Sequence, residues 1–188
     1  MSSVVIAGYA RSPFHFAHKG ALTKVRPDDL AAVVVKGLIE QLGIDPNTIE
    51  DLILGNAMPE GEQGLNMARL VGLLAGLPQS VGGMTVNRFC GSSMQAIHDA
   101  AGQLSLGAGD AYIAAGVESM TRVPMSGFNP MPNPTLYAQN NGAYMGMGET
   151  AENVAKQYQL TREDQEQLAV ESHAKAKAAQ DAGKLAEE

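Results

Sequence analysis

The chain has 188 residues, of which 45% are hydrophobic and 18% charged, and its formal net charge at pH 7 is -7. This acidic balance argues against a nucleic acid or an anionic membrane surface as partner, because both need basic patches. The single cysteine excludes an intrachain disulfide, offers no metal-ligand spacing and suits a reducing compartment such as the cytoplasm. No apolar run approaches the ~18 residues of a membrane span, and the opening segment lacks the basic region of a signal peptide.

Strands and helices are predicted to alternate over the first 118 residues. Short apolar, β-branched runs predict four buried strands, at 3–10, 51–58, 83–89 and 110–118. Apolar residues at helical spacing predict three helices, at 28–43, 66–78 and 91–107, and Asp28 or Asp29 is expected to cap the first of them. Strands that are apolar along their whole length are typical of a parallel or mixed sheet covered by helices. Residues 1–118 are therefore predicted to form an α/β domain.

The composition changes after residue 118. Residues 119–148 are rich in methionine and proline and show little periodicity, which predicts an irregular inserted region. Two helices are predicted to follow, at 149–159 and from a capping box at Thr161 and Asp164 to Gly183. Residues 119–188 are therefore expected to form a second domain.

The segment VNRFCGSSMQA, residues 86–96, contains the only cysteine, Cys90. Free cysteine is often buried in a core, and this remains one interpretation. The pattern nevertheless places Cys90 where a central strand gives way to a helix that starts at residues 90–92. The first N–H groups of a helix favour a thiolate and can hold an oxyanion, and Gly91 and Ser92 leave room for a substrate. The position favours a nucleophile over a packed thiol.

A cysteine nucleophile normally needs a base, and no histidine stands at a suitable spacing. His98 would lie about 12 Å from Cys90 along the helix axis and is expected to be a partly buried helix residue. His15, His18 and His173 are expected to be surface residues. The residues alone therefore predict a nucleophile without its base.

Other candidates have a structural and a functional interpretation. Arg69 and Glu118 could be catalytic charges, but ion pairing or capping is favoured. Asn87 and Ser92 are expected to make local hydrogen bonds. The methionines of the irregular region could line a binding pocket or pack within the loop. They are Met120, Met125, Met131, Met145 and Met147.

Several stretches resemble the thiolases, the acyl-CoA C-acyltransferases, in the right order along the chain. VNRFCGSSMQAIHDAA resembles the family's nucleophilic-cysteine segment, and VVIAGYARSPF its opening strand and turn. NMARLVGLLAGLP, AAGVESMTRVPM and MGMGETAENVAKQY are similar to three further family segments. Together they span nearly all of the chain. The resemblance implies a thiolase-like half-domain, a mixed and mostly parallel sheet with helices, followed by the first part of a helical and irregular loop domain.

The resemblance also implies a reaction. Cys90 would attack a 3-ketoacyl-CoA, release acetyl-CoA and hold the shortened acyl group as a thioester, which a second CoA thiol would take. The backbone N–H of Cys90 would contribute to the oxyanion hole, and Met147 would border the substrate pocket. Coenzyme A is expected as a substrate, with no bound cofactor or metal. A homodimer or homotetramer in the cytoplasm is expected of the complete protein.

Two cues bear on the type of thiolase. Cys-Gly-Ser-Ser is more similar to the degradative 3-ketoacyl type than to the acetoacetyl type, and Gly146 stands where some acetoacetyl-type members carry a histidine. An acetoacetyl-CoA-specific acetyltransferase remains an alternative, as does a ketoacyl synthase-type condensing enzyme.

The chain also departs from the family. The second half of a thiolase supplies a Gly-His-Pro histidine, a second cysteine and an asparagine, and none of these is present. The isolated chain is therefore expected to be inactive, and a non-catalytic half-thiolase that needs a partner chain is a further alternative.

Overall fold

The computed structural model describes residues 4–186. The chain divides into two compact units, the first ending at Pro130 and the second beginning at Met131. The division lies later in the sequence than the boundary expected after residue 118.

The segment that accounts for this difference is 119–130, which is bonded to the first unit. The Ser119 N–H donates to Gln63 Oε1 over 2.7 Å, and the Phe128 N–H donates to Glu60 Oε2 over 2.6 Å. These bonds, made across many residues of sequence, place the end of the first unit beyond its last strand.

The first unit is built on a sheet of three parallel strands in the order β2-β1-β3. They are β1 (Ile49–Gly55), β2 (Gly82–Val86) and β3 (Ala111–Gly116). The strands predicted at 51–58, 83–89 and 110–118 are therefore confirmed, although each ends earlier than expected. The central strand, β1, is apolar along most of its length because both of its faces are buried.

Helices cover both faces of this sheet. They are α1 (Pro27–Leu42), α2 (Met67–Leu74) and α3 (Ser92–Ser105). Leu52 and Leu54 of β1 belong to the larger core cluster, with α1 and α2. Ile53, pointing the other way, packs with Ala96 and Ala100 of α3. The α/β fold class and the two-sided cover are confirmed.

The start of α1 differs from the expected cap. Arg26 is the N-cap residue and Pro27 the first helical residue, so Asp28 lies inside the first turn and neither it nor Asp29 is the cap. Pro27 suits this position because the first helical residue needs no N–H partner. The Asp28 carboxylate instead accepts two hydrogen bonds from the Arg26 guanidinium, at 3.0 and 2.7 Å. Gly43 ends the helix as expected, with a φ of 62°.

The strand expected at residues 3–10 is wrong for its described part, 4–10, which contains no strand; residue 3 lies outside the described residues. A strand needs a neighbour for its backbone hydrogen bonds, and residues 4–10 pair with no strand of the described sheet. Val5 and Ile6 are 73% and 77% exposed, so the apolar run that suggested a buried strand is uncovered here.

Between Met131 and residue 186, where the description of the second unit ends, lie the α-helices α4 (Pro134–Gln139), α5 (Met147–Tyr158) and α6 (Arg162–Asp181). The two helices expected at 149–159 and after Thr161 are confirmed. Residues 119–148 are less irregular than expected, because α4 begins at Pro134 with Asn133 Oδ1 accepting from the Leu136 N–H.

The capping box of α6 is confirmed in both directions. Thr161 Oγ1 accepts from the Asp164 N–H over 3.1 Å, and Asp164 Oδ2 accepts from the Thr161 N–H over 2.9 Å.

In the described part of the chain, no helix combines the length and apolar composition needed to span a bilayer.

Candidate active site

Polar side chains gather where the three parallel strands end. Asn56 follows β1 directly, Asn87 follows β2, and Glu118 stands two residues after β3. In an open parallel sheet, ligands bind beyond the carboxyl ends of the strands. The segment that carries Cys90 starts from this same edge, which makes the edge a candidate site.

Cys90 lies in the turn between β2 and α3. Gly91 is the N-cap of α3 and Ser92 its first residue, which confirms a helix start at residues 90–92. The thiol is free and exposed. The expectation that a central strand precedes Cys90 is wrong, since β2 is an edge strand of the described sheet and β1 is central.

The backbone of this turn is held in a strained shape. Phe89 has a φ of 47°, a left-handed conformation that costs a bulky residue roughly 1–2 kcal/mol. Asn87 Oδ1 accepts from the Phe89 N–H over 2.9 Å. The buried Ser92 hydroxyl accepts from the Arg88 N–H over 2.9 Å and donates to the Phe89 carbonyl over 2.6 Å. Asn87 and Ser92 therefore make the local hydrogen bonds expected of them.

Two glycines let the first turn of α3 approach the strand ends. A Cβ at Gly55, the last residue of β1, would lie 2.5 Å from the Ser93 backbone nitrogen. A Cβ at Gly116, the last residue of β3, would collide with the Ser93 hydroxyl. Glycine at both ends therefore sets how closely α3, and with it the Cys90 turn, can sit on the sheet.

This geometry suits attack by a thiol on a carbonyl. Cys90 is accessible, and its own backbone N–H donates no hydrogen bond to another described residue. An N–H that points at a developing oxyanion stabilises the tetrahedral intermediate of acyl transfer. The turn thus presents an accessible thiol and, on the same residue, a backbone N–H with no acceptor among the described residues.

Glu118 organises the loop after β1. Its Oε2 accepts from the Ala57 N–H over 2.7 Å, and its Oε1 accepts from Gln63 Nε2 over 2.7 Å and from Asn56 Nδ2 over 3.4 Å. Asn56 Nδ2 also donates to the Val117 carbonyl over 2.9 Å. Among the described residues Glu118 forms no ion pair, so the expected ion pairing is wrong and hydrogen bonding replaces it.

Gln63 is the buried centre of this cluster. It is fully buried, and its amide nitrogen also donates to the Met58 carbonyl over 2.8 Å. Its Oε1 accepts from the Ser119 N–H. One side chain thereby joins the loop after β1 to the segment after β3, and this residue was not among the sequence candidates.

A network of charges lies on the loop that contains Gln63. Glu62 accepts from Arg122 Nε over 2.6 Å and pairs with a second nitrogen of Arg122, while Arg26 Nη1 reaches Glu62 Oε1 over 3.2 Å. The hydrogen bond from Arg122 lowers the pKa of the Glu62 carboxyl. Burial acts to raise the pKa of Asp28, but the hydrogen bonds from Arg26 and from the Asp29 N–H bring that pKa below its ordinary value.

Arg69 caps a turn and pairs with no carboxylate in the described residues. Its guanidinium donates to the Val81 carbonyl and, over 3.0 Å, to the Gln79 carbonyl. The expected capping role of Arg69 is supported, and the expected ion pair is not.

His98 is exposed on α3, whereas a partly buried position was expected. Within the described residues, no histidine is hydrogen-bonded to Cys90.

Met147, the predicted substrate-binding residue, is the first residue of α5 and is 68% exposed. It belongs to the second unit, whereas Cys90 belongs to the first.

No group of three or more potential metal ligands is found among residues 4–186.

The polar cluster had a signal in the sequence. Each strand is followed within two residues by a side chain with a carboxamide or carboxylate, namely Asn56, Asn87 and Glu118. Because parallel strands end at one edge, these three positions could have been grouped from topology alone. Gln63 carried no such signal, since it lies in a short 3-10 turn between β1 and α2.

Comparison with known proteins agrees with the resemblance. Residues 4–188 match the family model described as "Thiolase, N-terminal domain". A 3-ketoacyl-CoA thiolase of Bacillus subtilis (strain 168) is 50% identical over 188 residues, which are 100% of this chain and 48% of the relative. One of Saccharophagus degradans (strain 2-40) is 43% identical over 186 residues, 98% of this chain and 47% of the relative. The chain thus spans about half the length of the curated relatives it matches. With a family match over nearly all of its residues, the chain belongs to the thiolase family.

Proposed function

We propose that the protein to which this chain contributes is an acyl-CoA C-acyltransferase that cleaves 3-ketoacyl-CoA with CoA. The Cys90 thiolate adds to the 3-keto carbon, and the C2–C3 bond breaks with its electrons on C2. Protonation of C2 releases acetyl-CoA and leaves the shortened acyl group as a thioester on Cys90. The thiol of a second CoA then takes that group, and condensation is the same sequence in reverse.

The observation that carries this proposal is an accessible thiol on a residue whose backbone N–H donates no hydrogen bond to another described residue. The Cys90 turn is held by the side chains of Ser92 and Asn87, and the absence of a side chain at Gly55 and Gly116 lets α3 approach the strand ends. The relatives' names, 3-ketoacyl-CoA thiolase, specify the same chemistry in proteins up to 50% identical. The Cys-Gly-Ser-Ser sequence and Gly146 favour the 3-ketoacyl type over an acetoacetyl-specific enzyme.

The finer assignments belong to this proposal. Coenzyme A and its thioesters are the substrates, no cofactor is bound, and Met147 contributes to the acyl-binding surface. The pathway is fatty acid metabolism, the compartment is the cytoplasm, and the complete protein is a homodimer or homotetramer. A lone thiol that must remain reduced to act supports a reducing compartment.

The test supplies the part of the relatives that residues 1–188 do not span. Residues 1–188 are fused to the C-terminal half of the Bacillus subtilis relative, and thiolysis of acetoacetyl-CoA and of a longer 3-ketoacyl-CoA is measured. The fusion should turn over both, the longer substrate faster, while residues 1–188 alone should be inactive because the general base is missing. Loss of a base costs roughly 10²–10⁴-fold.

Cys90→Ser in the fusion is the matched control. It should abolish thiolysis and the acyl adduct detected on the cysteine by intact mass. Near-normal thiolysis by the Cys90→Ser fusion would show that another group is the nucleophile. A fusion that binds CoA and never forms the adduct would contradict the proposal equally.

A further inference from the structure

A continuous chain of hydrogen bonds leads from Glu118 to the residue before the cysteine. Glu118 Oε2 accepts from the Ala57 N–H over 2.7 Å. The carbonyl of Ala57 accepts from Asn87 Nδ2 over 3.1 Å. The other end of the Asn87 carboxamide, Oδ1, accepts from the Phe89 N–H over 2.9 Å. The segments after all three strands are therefore joined at the Cys90 turn.

The end of this chain is the strained position of the turn. Phe89 adopts its left-handed φ of 47° directly before Cys90, so its conformation sets the direction in which the Cys90 backbone and thiol leave the sheet. Such a conformation persists only where surrounding bonds enforce it. Asn87 supplies one of those bonds with Oδ1 and is itself held through Nδ2.

We propose that Asn87 is a positioning residue for Cys90 and that Glu118 anchors it through the backbone of Ala57, whose N–H and carbonyl bond Glu118 and Asn87 respectively. In this proposal neither side chain contacts the substrate. Asn87 keeps Phe89 left-handed, which fixes the backbone from which the Cys90 thiol projects just before the N-cap of α3, and Glu118 fixes the Ala57 backbone, to whose carbonyl Asn87 donates. The importance of this for acyl transfer rests on the proposed function, whereas the effect on the thiol itself does not.

The single cysteine allows a direct test, because a thiol reagent reports on Cys90 alone. The second-order rate of carboxamidomethylation by iodoacetamide is followed by intact mass on the full 188-residue chain. Access is not the limit, since Cys90 is already exposed. Asn87→Ala should slow the reaction roughly tenfold, the scale of coupling within one hydrogen-bonded network. Asn87→Ser should slow it less, by about three- to fivefold, because a serine hydroxyl can accept from the N–H two residues on but does not replace the Nδ2 donor to Ala57.

The Glu118→Ala variant distinguishes a positioning effect of Glu118 on the Cys90 thiol from an effect of its negative charge. If its negative charge alone acted on Cys90, removing the carboxylate would favour the thiolate and speed alkylation. The proposal requires the opposite, a slowing of about three- to fivefold, with no further slowing when Glu118→Ala is added to Asn87→Ala. Asn47→Ala is the matched asparagine control. Asn47 is exposed in the turn before β1 and bonds Asp45, so its replacement should leave the rate unchanged.

Three results would overturn the proposal: equal rates for Asn87→Ala and the unsubstituted chain, faster alkylation of Glu118→Ala, or additive effects in the double variant. If Asn87→Ala loses its helical circular dichroism, the Asn87→Ser and Glu118→Ala rates decide alone. These outcomes can be told apart from failure of the proposed function. If only the proposed function is wrong, the alkylation rates follow the predicted order while no acyl-Cys90 forms in the fusion. If only the positioning role is wrong, acyl-Cys90 forms while the alkylation rates of the variants stay equal.

Discussion

The two units of the chain are stabilised in different ways. In the first, the middle of β1 is completely buried: Leu52, Ile53 and Leu54 are each 0% exposed, and side chains from distant segments contact them. In the second, α4, α5 and α6 contain no buried residue. Their described contacts are mainly caps and pairs four residues apart, such as Arg162 with Glu166 and Lys177 with Asp181.

The comparison shows where a candidate site can be rigid. Long-range contacts fix the strand ends and therefore the Cys90 turn, because the strands that carry them cannot move separately. Local contacts stabilise a helix by only a few tenths of a kcal/mol each. Substitutions in the core of the first unit should therefore lower the stability of the entire unit. Substitutions in the second unit should lower the stability of a single helix.

The largest effect is expected at the centre of the sheet. Ile53→Ala removes a fully buried side chain that packs between β1 and α3, and should lower the free energy of unfolding by about 3 kcal/mol. Urea denaturation measures the loss, and amide hydrogen exchange should show faster opening of β1, β2 and β3 together. Leu168→Ala, on α6 and 69% exposed in the same chain, is the control and should change stability by less than about 0.5 kcal/mol. Similar losses for the two variants would remove the contrast between the units.

The next effect tests how closely α3 sits on the sheet. Gly55→Ala places a methyl group 2.5 Å from the Ser93 nitrogen and should cost about 2 kcal/mol through overpacking. Gly37→Ala is the matched control, because nothing lies within 4 Å of its Cβ in the middle of α1. That variant should gain roughly 0.5–1 kcal/mol from better helix propensity. Equal effects of the two substitutions in thermal unfolding would show that Gly55 is not under steric pressure.

The sequence predicted the regular core well for a physical reason. The runs around Leu52 and Ile113 are apolar on both sides, and only a strand between two helical layers buries such a run. Residues 4–10 have the same composition, yet the prediction failed there. Composition describes what a segment could bury and does not supply the neighbour that must accept its hydrogen bonds.

The candidate site was predicted less completely. The position of Cys90 followed from a local pattern, an apolar run followed by glycine and serine. The Glu118 cluster depends on which strand ends meet, and Gln63 on a contact 55 residues distant in sequence, with its Nε2 bonded to Glu118. Local patterns do not contain such pairings. The ionic partners of Glu62 were missed for the same reason, since Arg122 is 60 residues away.

A smaller effect, with a dependence on pH, is expected at the other end of β1. Burial raises the pKa of the Asp51 carboxyl, against a weaker lowering by the Leu52 N–H, and Asp51 Oδ1 has no hydrogen-bond partner among the described residues. With a raised folded-state pKa, stability is fully present below the unfolded value of about 3.9 and is lost as the pH rises through the folded value. Asp51→Asn should therefore stabilise the chain at pH 7 and change its stability little at pH 3.

Asp45→Asn is the contrasting control for this measurement. Hydrogen bonds from the Asn47 N–H and side chain lower the pKa of Asp45, so its contribution is present above the unfolded pKa and lost as the pH falls through the folded one. Its replacement should weaken the chain at pH 7, the opposite sign to Asp51→Asn. Chemical denaturation at pH 3, 5 and 7 decides, and a constant advantage of Asp51→Asn across this range would contradict the burial argument.

The smallest effect belongs to the second unit and should stay within one helix. Thr161→Ala removes the hydroxyl that accepts from the Asp164 N–H, and should cost about 0.5 kcal/mol, the low end for a cap, because α6 has no buried residue to transmit the loss. Amide exchange should accelerate in the first turn of α6 and remain unchanged in β1. Thr161→Ser keeps the hydroxyl and should exchange like the unsubstituted chain. Faster exchange in β1 would mean that the cap stabilises more than its own helix, against the contrast between the two units.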